Sequence, residues 1–209
     1  MTIHETGLVN HSSKDLTRSD PVLRRIVSAI EPPQIYSTGS VFHDLMSCLV
    51  EQQIHYRSTK KVFYRLLHRA EIELLTPENF AHFEEAALSS VKLSATRTEA
   101  IVNFHEFSIH DKSQWAKMPD EEIRSVLGSI KGIGNWSVDM VLLYTLGRPD
   151  IFPADDHHLK IIMTEEYGLD PRSRLRKQML ETAEAWKGDR SLAVLYLLAW
   201  KKLKKELQI

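Results

Sequence analysis

Apolar residues recur along most of the chain at the three- and four-residue spacing of amphipathic α-helices, and alternating strand patterns are sparse. Capping side chains and early prolines mark helix starts at several positions: Asp20-Pro21, Ser40, Ser94 and Pro119. Together these signals predict an all-α domain of about ten helices over residues 20–209. The more polar residues 1–19 predict a poorly ordered N-terminal arm.

The helical pattern breaks at Lys131-Gly132-Ile133-Gly134, where two glycines flank a single apolar residue between two helices. Glycine permits a positive φ and lets another backbone approach closely. A turn of this kind can also present successive N–H groups at the start of the next helix, which suits a phosphate. Taken alone, however, the glycines favour an ordinary tight turn between helices.

Two adjacent acids follow the hairpin at the start of a further predicted helix. Asp156 lies twenty residues after Trp136, and together with Asp155 it follows Pro153 and opens a further helix. An acid at a helix start is usually an N-cap, and we expect one of the pair to be one. The second acid is then a candidate for another role.

Composition restricts the class of protein. The 209 residues include 27 Lys+Arg against 28 Asp+Glu, and their 43% hydrophobic content excludes disorder. The longest apolar run, residues 192–200, is too short for a membrane span, and the N-terminus carries no secretory pattern. One cysteine excludes an internal disulfide, a four-cysteine zinc site and a cysteine-ligated iron–sulfur cluster. We therefore expect a soluble intracellular protein, cytoplasmic in a bacterium or nuclear in a eukaryote.

The net charge of −1 conceals an uneven distribution of charge. Residues 55–70 hold five Lys or Arg and no acid, and the residues after Asp170 hold ten Lys or Arg against four acids. Clustered bases on a neutral protein are typical of a surface that faces a polyanion. On charge alone, solvated helix faces explain the clusters better.

In combination these motifs resemble the helix–hairpin–helix superfamily of DNA glycosylases, specifically its 3-methyladenine DNA glycosylase II family. The resemblance rests on the segments Leu49-Val-Glu-Gln-Gln-Ile54, Lys92-Leu-Ser94, Ile130-Lys-Gly-Ile-Gly-Asn-Trp-Ser137, Leu146-Gly-Arg-Pro-Asp-Ile-Phe-Pro-Ala-Asp-Asp156 and Trp186 with Arg190-Ser191. It implies a bilobal all-α fold with a DNA cleft between the lobes. It also implies a short form of the family that lacks the N-terminal β domain of longer members.

The resemblance assigns roles to residues that follow the hairpin. The family's catalytic carboxylate matches Asp156, which leaves Asp155 as a cap or an orienting residue. Bifunctional relatives carry a lysine where this chain has Trp136, so the resemblance implies a glycosylase without lyase activity. The implied base pocket comprises Trp136, Met140, Tyr196 and Leu198. A plain core tryptophan explains Trp136 equally well.

The resemblance also places residues against DNA. The implied wedge that fills the gap left by a flipped base is Gln53, Ile54 and His55, although Ile54 also fits a buried helix end. Glu51 departs from a position that is often glycine and brings an acid close to the implied DNA surface. The implied phosphate contacts are Lys131, Gly132, Gly134, Arg57, Lys60 and Arg190.

Few residues point to a cofactor. The resemblance implies no organic cofactor, although hairpin carbonyls hold a monovalent cation in the family. His157 and His158 are adjacent on a helix, where side chains project about 100° apart, so we expect no metal site there. Cys48 lies on an apolar stripe and is expected in the core rather than as a nucleophile.

The implied function is excision of alkylated purines, 3-methyladenine and also 7-methylguanine, from double-stranded DNA to leave an abasic site. A monomer suffices for this chemistry, and no membrane partner is expected. The main alternative is a non-catalytic DNA-binding protein that keeps the fold. There are two further alternatives: a glycosylase for oxidised or mismatched bases, and an unrelated helical interaction protein. The unrelated interaction protein leaves the spacing from Gly-x-Gly to Asp-Asp unexplained.

Overall fold

A computed structural model describes residues 4–5, 14–51 and 61–207 of the chain. Within these residues the chain forms eleven α-helices: α1 (Lys14–Ser19), α2 (Pro21–Ala29), α3 (Val41–Val50), α4 (Lys61–Arg69), α5 (Phe80–Ala86), α6 (Ala95–His110), α7 (Asp120–Gly128), α8 (Asn135–Met140), α9 (His157–Tyr167), α10 (Leu175–Ala183) and α11 (Arg190–Leu207). A π-helix over Val141–Thr145 continues α8, and short 3₁₀-helices lie at Leu88–Ser90, Trp115–Lys117 and Glu184–Trp186. Two paired two-residue strands, His4–Glu5 and Tyr36–Ser37, complete the regular structure described. The all-α fold class predicted from the sequence is confirmed.

The chain divides into two compact units. Unit 1 comprises Met1–His4 and Ser37–Val141, and unit 2 comprises Glu5–Tyr36 and Leu142–Ile209. Unit 1 therefore carries the glycine hairpin, whereas unit 2 carries the two adjacent acids. Among the described residues, no helix has the length and apolar character that crossing a membrane requires.

Local capping signals predicted several helix starts correctly. The Asp20 carboxylate accepts hydrogen bonds from the N–H groups of Val22 and Leu23, both at 2.9 Å, with Pro21 in the first turn of α2. Ser40 caps α3, and Ser94 caps α6. Each of these side chains satisfies an amide that the helix itself leaves unpaired, which explains why the helix begins there.

The structure differs from the sequence prediction at several element boundaries. Residues 14–19, assigned to a disordered arm, form α1, because Leu16 is buried and α1 packs against α2. The helix that Ser40 starts ends at Val50, with Glu51 as its C-cap, so Ile54 is not the end of this helix. Helix α10 begins at Leu175, preceded by a left-handed Arg174.

The core of unit 1 forms around α3, all ten residues of which are buried. Helix α3 packs against α4, α6 and α8. The Phe42 and Phe104 rings stack with their centroids 5.5 Å apart, which joins α3 to α6. Cys48 is buried on α3, as expected for a core cysteine. Because α8 begins directly after the hairpin and packs on α3, this core supports the helix that follows the hairpin.

The core of unit 2 forms around α11, which packs against α2 and α9. Asp20 connects three segments of this unit, since its Oδ2 atom accepts hydrogen bonds from Tyr167 Oη at 2.9 Å and Trp186 Nε1 at 2.8 Å. Burial, together with the charge of Asp20 and the hydrogen bond to it, raises the pKa of the Tyr167 phenol well above its usual range. The neutral phenol therefore remains a donor at physiological pH.

A buried carboxylate, Glu166, joins α9 to α2 and α11. It accepts hydrogen bonds from Trp200 Nε1 at 2.9 Å, from Lys204 Nζ at 3.0 Å and from the Arg25 guanidinium. Burial acts to raise the pKa of Glu166, but hydrogen bonds from Lys204, Trp200 and Arg25 outweigh it and hold the pKa below its ordinary value of 4.5. The ionised carboxylate therefore stabilises the folded state above pH 4.5, and this contribution is lost as the pH falls through the lower folded-state pKa.

We expect Glu166→Gln to destabilise the protein at neutral pH and to matter progressively less in acid. The amide keeps the shape but leaves Arg25 without its counter-charge, whereas Lys204 keeps only its second ion pair, with Glu165. The free energy of unfolding, measured by urea titration from about pH 6 to about pH 3, should show wild type and variant converging below pH 4.5. Glu206→Gln, which removes an exposed acid on α11, is the control and should leave the pH dependence unchanged. A constant difference between wild type and Glu166→Gln would contradict the prediction.

Candidate active site

The two glycines of the hairpin in unit 1 have different structural roles. Gly132 has a φ of +96°, and a Cβ built on it would lie 2.5 Å from Ala100 Cβ and 2.9 Å from Ala100 Cα on α6. Gly134 has a φ of −93°, forms the N-cap of α8 and has open space where a Cβ would point. Gly132 is therefore required by the turn and by the close approach of α6, whereas Gly134 keeps the start of α8 accessible.

Polar contacts fix the hairpin to the helices on both sides of it. The Asn103 amide on α6 donates to the Lys131 carbonyl at 3.0 Å, and Lys131 Nζ lies 2.6 Å from Glu99 Oε1. Arg124 Nη1 on α7 donates to Asp139 Oδ1 on α8 at 2.6 Å, which joins the two helices that flank the hairpin. The Lys131 side chain is nevertheless 76% exposed, so its ammonium group is accessible to a ligand.

Asp156 in unit 2 is the N-cap of α9. Its side chain is buried, with the residue 8% exposed, and Oδ1 accepts a hydrogen bond from the Leu159 N–H at 2.8 Å. Asp155 is exposed instead, with Oδ1 3.8 Å from Lys160 Nζ and 3.6 Å from Arg176 Nε. Of the two roles expected for Asp155, a cap or an orienting residue, the first is therefore wrong, because α9 begins directly after Asp156, which has an extended backbone and makes the cap hydrogen bond.

The loop that leads to Asp156 is held by the start of α11. Ser191 is fully buried, and its hydroxyl donates to the Arg148 carbonyl at 2.6 Å and accepts from the Ile151 N–H at 2.8 Å. The Ser191 N–H in turn donates to the Pro149 carbonyl at 3.0 Å. One side chain thus satisfies backbone groups on both sides of Pro149 and fixes the path of the chain towards Asp156.

We expect Ser191→Ala to destabilise unit 2 by about 1–3 kcal/mol, because it leaves the buried Ile151 N–H and Arg148 carbonyl without these partners. Urea unfolding measures the change. Ser173→Ala, at an exposed serine before α10, is the matched control and should change the free energy of unfolding by less than about 0.5 kcal/mol. Equal stability of Ser191→Ala and wild type would contradict the anchoring role.

The four residues of the implied base pocket lie on the two units. Trp136 is half-buried in the first turn of α8, and Met140 is buried one turn later. Tyr196 and Leu198 are buried on α11 in unit 2. Burial, and to a lesser extent the charge of Glu31, raises the pKa of the Tyr196 phenol. Of the four side chains, Trp136 is the most accessible to a ligand in this structure.

The implied DNA contacts have mixed outcomes. Arg190 Nε lies 3.0 Å from Asp150 Oδ1 and the side chain is only 20% exposed, which favours a structural role over the implied phosphate contact. Glu51 is 1% exposed and accepts a hydrogen bond from the Phe63 N–H at 2.8 Å, so its carboxylate stabilises α4. The remaining contacts implied by the resemblance lie outside the described residues: Gln53, Ile54, His55, Arg57 and Lys60.

Two groups of functional interest were missed by sequence reasoning. The Ser191 anchor and the Asp20 junction both depend on residues far apart in sequence, and neither has a local pattern that reveals its partners. Among the described residues, no cluster of three or more His, Cys, Asp or Glu side chains is arranged to hold a metal ion.

Comparisons with known proteins identify the family to which the chain belongs. The "HhH-GPD superfamily base excision DNA repair protein" family matches residues 46–188 of the chain. The alkylbase DNA glycosidase-like protein mag2 of Schizosaccharomyces pombe is 30% identical over 194 residues, which cover 89% of this chain and 91% of that protein. DNA-3-methyladenine glycosylase 1 of the same yeast is 26% identical, with 70% of this chain and 71% of that protein covered. The putative DNA-3-methyladenine glycosylase YfjP of Bacillus subtilis is 27% identical over 76% of this chain, and the match spans 58% of its length.

Solved structures show the same fold. The 3-methyladenine DNA glycosylase of S. pombe, solved in complex with abasic DNA, superposes with a TM-score of 0.74 at 23% identity over 93% of this chain and 97% of that chain. A DNA-3-methyladenine glycosidase from Bacillus halodurans superposes with a TM-score of 0.70 at 22% identity over 99% and 95% of the two chains. With the glycine hairpin in one unit and the buried Asp156 in the other, the chain belongs to the HhH-GPD superfamily of base excision DNA repair proteins.

Proposed function

We propose that the protein is a monofunctional DNA glycosylase that hydrolyses the N-glycosidic bond of alkylated purines, 3-methyladenine and also 7-methylguanine, and leaves an abasic site. The relatives named as DNA-3-methyladenine glycosylases support the alkylated-base substrate class. The observation that carries the proposal is Asp156, a carboxylate that is 8% exposed and fixed at the start of α9. The protein would act as a monomer on double-stranded DNA.

The chemistry needs a fixed anion more than it needs an acid. As the N-glycosidic bond breaks, positive charge develops on the deoxyribose in an oxocarbenium-like transition state. A carboxylate held rigidly beside that sugar stabilises the charge, and it also orients the attacking water. An alkylated purine is already cationic, so the base leaves neutral and needs little protonation. Asp156 fits this role because its hydrogen bond to the Leu159 N–H fixes one oxygen.

The hairpin would hold the DNA backbone. The N–H groups of Gly132 and Gly134 and the exposed Lys131 ammonium group suit a phosphate. The carbonyls of Ile130 and Lys131 each accept one hydrogen bond from the protein, and each oxygen has a second lone pair. These oxygens therefore fit a monovalent cation, which would supply positive charge next to the same phosphate.

The half-buried Trp136 supports a glycosylase without lyase activity. An indole in place of a lysine offers no amine for a Schiff base with the opened sugar, so the strand would stay intact. The indole face would instead stack on the electron-poor alkylated base after that base is flipped out of the duplex. Met140, Tyr196 and Leu198 would complete the pocket, and Gln53, Ile54 and His55 would fill the gap in the duplex.

One observation favours a second function, a DNA-binding protein without catalysis. Because Asp156 caps α9, the structure supplies a reason for an aspartate at this position that needs no chemistry. A measurement of base release separates the two functions.

The experiment is to incubate the protein with methylated duplex DNA and to identify the released bases by mass spectrometry. We expect free 3-methyladenine and 7-methylguanine, together with abasic sites in strands that break only after alkali treatment. Strand breaks without alkali would contradict the monofunctional assignment. Tight DNA binding without any released base would favour the non-catalytic function.

A further inference from the structure

Basic side chains surround a groove at the start of α10 in unit 2. The groove has a volume of about 550 Å³ and is lined by Arg174, Leu175, Arg176, Lys177 and Leu180. Two further bases belong to the same region, since Lys160 shares Asp155 with Arg176 and Arg172 lies two residues before Arg174 in the chain. We call this set of five bases and two leucines the α10 basic surface.

The charge of this surface is only partly neutralised. Asp155 lies within 4 Å of both Lys160 and Arg176, and Lys177 pairs with Glu181 across one turn of α10. Arg172 and Arg174 are exposed and form no ion pair with any residue that the structure describes. The Arg176 and Lys177 side chains are 61% and 64% exposed, so their charged groups are accessible as well.

The surface contacts the residue that precedes the buried carboxylate of the same unit. Arg176 Nε is 3.6 Å from Oδ1 of Asp155, which precedes Asp156 in the chain. Lys160 is on the first turn of α9, the helix that Asp156 caps. Two of the basic side chains, Lys160 and Arg176, therefore lie beside the residue that precedes Asp156, whose carboxylate would face the deoxyribose.

We propose that the α10 basic surface binds phosphates of the DNA strand that carries the damaged base, next to the sugar that approaches Asp156. This inference rests on the proposed function. Arginine suits this role because its planar guanidinium forms two parallel hydrogen bonds to a phosphate. Leu175 and Leu180 are half-buried among these basic side chains and match the apolar face of a deoxyribose. Through this surface unit 2 would bind the DNA backbone itself, in addition to the binding by the hairpin of unit 1.

The position of the surface favours DNA over an acidic protein segment. An acidic peptide would also satisfy the positive charge and the two leucines. Such a ligand, however, has no reason to lie beside Asp155 and Asp156, whereas a strand whose sugar approaches Asp156 carries its neighbouring phosphates past adjacent residues. DNA is therefore the occupant that we test.

The test compares wild type with the double variant Arg174→Gly/Arg176→Gln in binding to an undamaged duplex. Each phosphate contact contributes about 0.9 to the slope of log K against log salt concentration. We expect the double variant to lower the slope by about 1.8, so that raising salt from about 50 to about 200 mM weakens binding about 12-fold less than in wild type. An unchanged slope would overturn the proposal.

The substitutions are chosen to leave the fold intact. Arg174 has a φ of +47°, a left-handed conformation in which glycine is favoured, so glycine removes the charge while relieving strain. The thermal midpoint of the variant should accordingly be no lower than that of wild type. Lys202→Gln/Lys205→Gln, which removes two exposed bases of α11 in the same unit, is the control for net charge. A control slope that falls as far as that of the test variant would overturn the assignment to this surface.

A gain of affinity provides an independent arm. Asp155→Asn removes the acid between Lys160 and Arg176, and we expect it to tighten binding to undamaged duplex at least about threefold at low salt. Unchanged or weaker binding would count against the proposal. The proposal would also be contradicted if an acidic peptide bound the surface and none of the variants changed the affinity for DNA. Base release is scored separately. A protein that binds DNA through this surface but releases no base sustains the inference and contradicts the proposed function.

Discussion

Asp156→Asn is expected to reduce base release from methylated DNA at least about a hundredfold while preserving most of the DNA affinity. The carboxylate would act by stabilising positive charge on the deoxyribose, and the loss of one fixed electrostatic contact of this kind costs about 10²–10³ in rate. Asparagine keeps the size of the side chain and also accepts a hydrogen bond at an N-cap. Single-turnover release of 3-methyladenine and equilibrium binding to an abasic duplex measure the two effects separately.

The capping role of Asp156 determines which variants are informative. Asp156→Ala removes both the charge and the hydrogen bond to the Leu159 N–H, so it should also cost about 1 kcal/mol of stability. Asp156→Ser keeps a cap without the charge and should behave like Asp156→Asn in rate and like wild type in stability. Base release by Asp156→Asn at the wild-type rate would remove Asp156 from catalysis and would favour a purely structural cap.

Helix starts were predictable because their determinants are local. Asp20, Ser40 and Ser94 each satisfy amides within three residues of themselves, so the sequence window contains the whole interaction. The choice between Asp155 and Asp156 as the cap was not predictable in this way. Both acids follow a proline, and the choice depends on the path of the loop that leads into α9. Ser191 fixes that loop through a hydrogen bond to Ile151, which lies forty residues earlier in the chain.

Buried residues outside the predicted apolar stripes were the least predictable part of the structure. Glu51 looked like an acid close to DNA, yet it is buried and accepts a hydrogen bond from Phe63, twelve residues along the chain. Leu16 looked like part of a polar arm, yet it is buried where α1 packs against α2. In both cases a tertiary contact decides the outcome, and the local sequence does not encode the partner.

The family resemblance located the hairpin but did not distinguish its two glycines. Both were expected to donate amides to a phosphate. The structure separates a conformational requirement at Gly132 from an accessible helix start at Gly134, because only Gly132 has a positive φ and a backbone atom of α6 within 3 Å of the position that a Cβ would take. Stability and ligand binding should therefore respond to different glycines.

Gly132→Ala is expected to destabilise the protein by about 2–5 kcal/mol, a large part of the stability of an ordinary domain. An alanine would have to adopt a φ of +96° with its Cβ 2.5 Å from Ala100 Cβ and 2.9 Å from Ala100 Cα. The second atom belongs to the backbone of α6, so no side-chain rotation relieves the clash. Urea unfolding followed by circular dichroism measures the loss, and the unfolding midpoint should fall sharply.

Two further variants separate the sources of this loss. Ala100→Gly combined with Gly132→Ala removes the 2.5 Å contact but not the backbone contact or the positive φ, so we expect partial recovery. Gly134→Ala should stay within about 1 kcal/mol of wild type, since the poorer N-cap is offset by a less flexible unfolded chain. It should nevertheless weaken DNA binding, because the new methyl group occupies the space through which a phosphate would approach α8. Equal destabilisation by Gly132→Ala and Gly134→Ala would show that the close approach of α6 does not account for the hairpin's sequence.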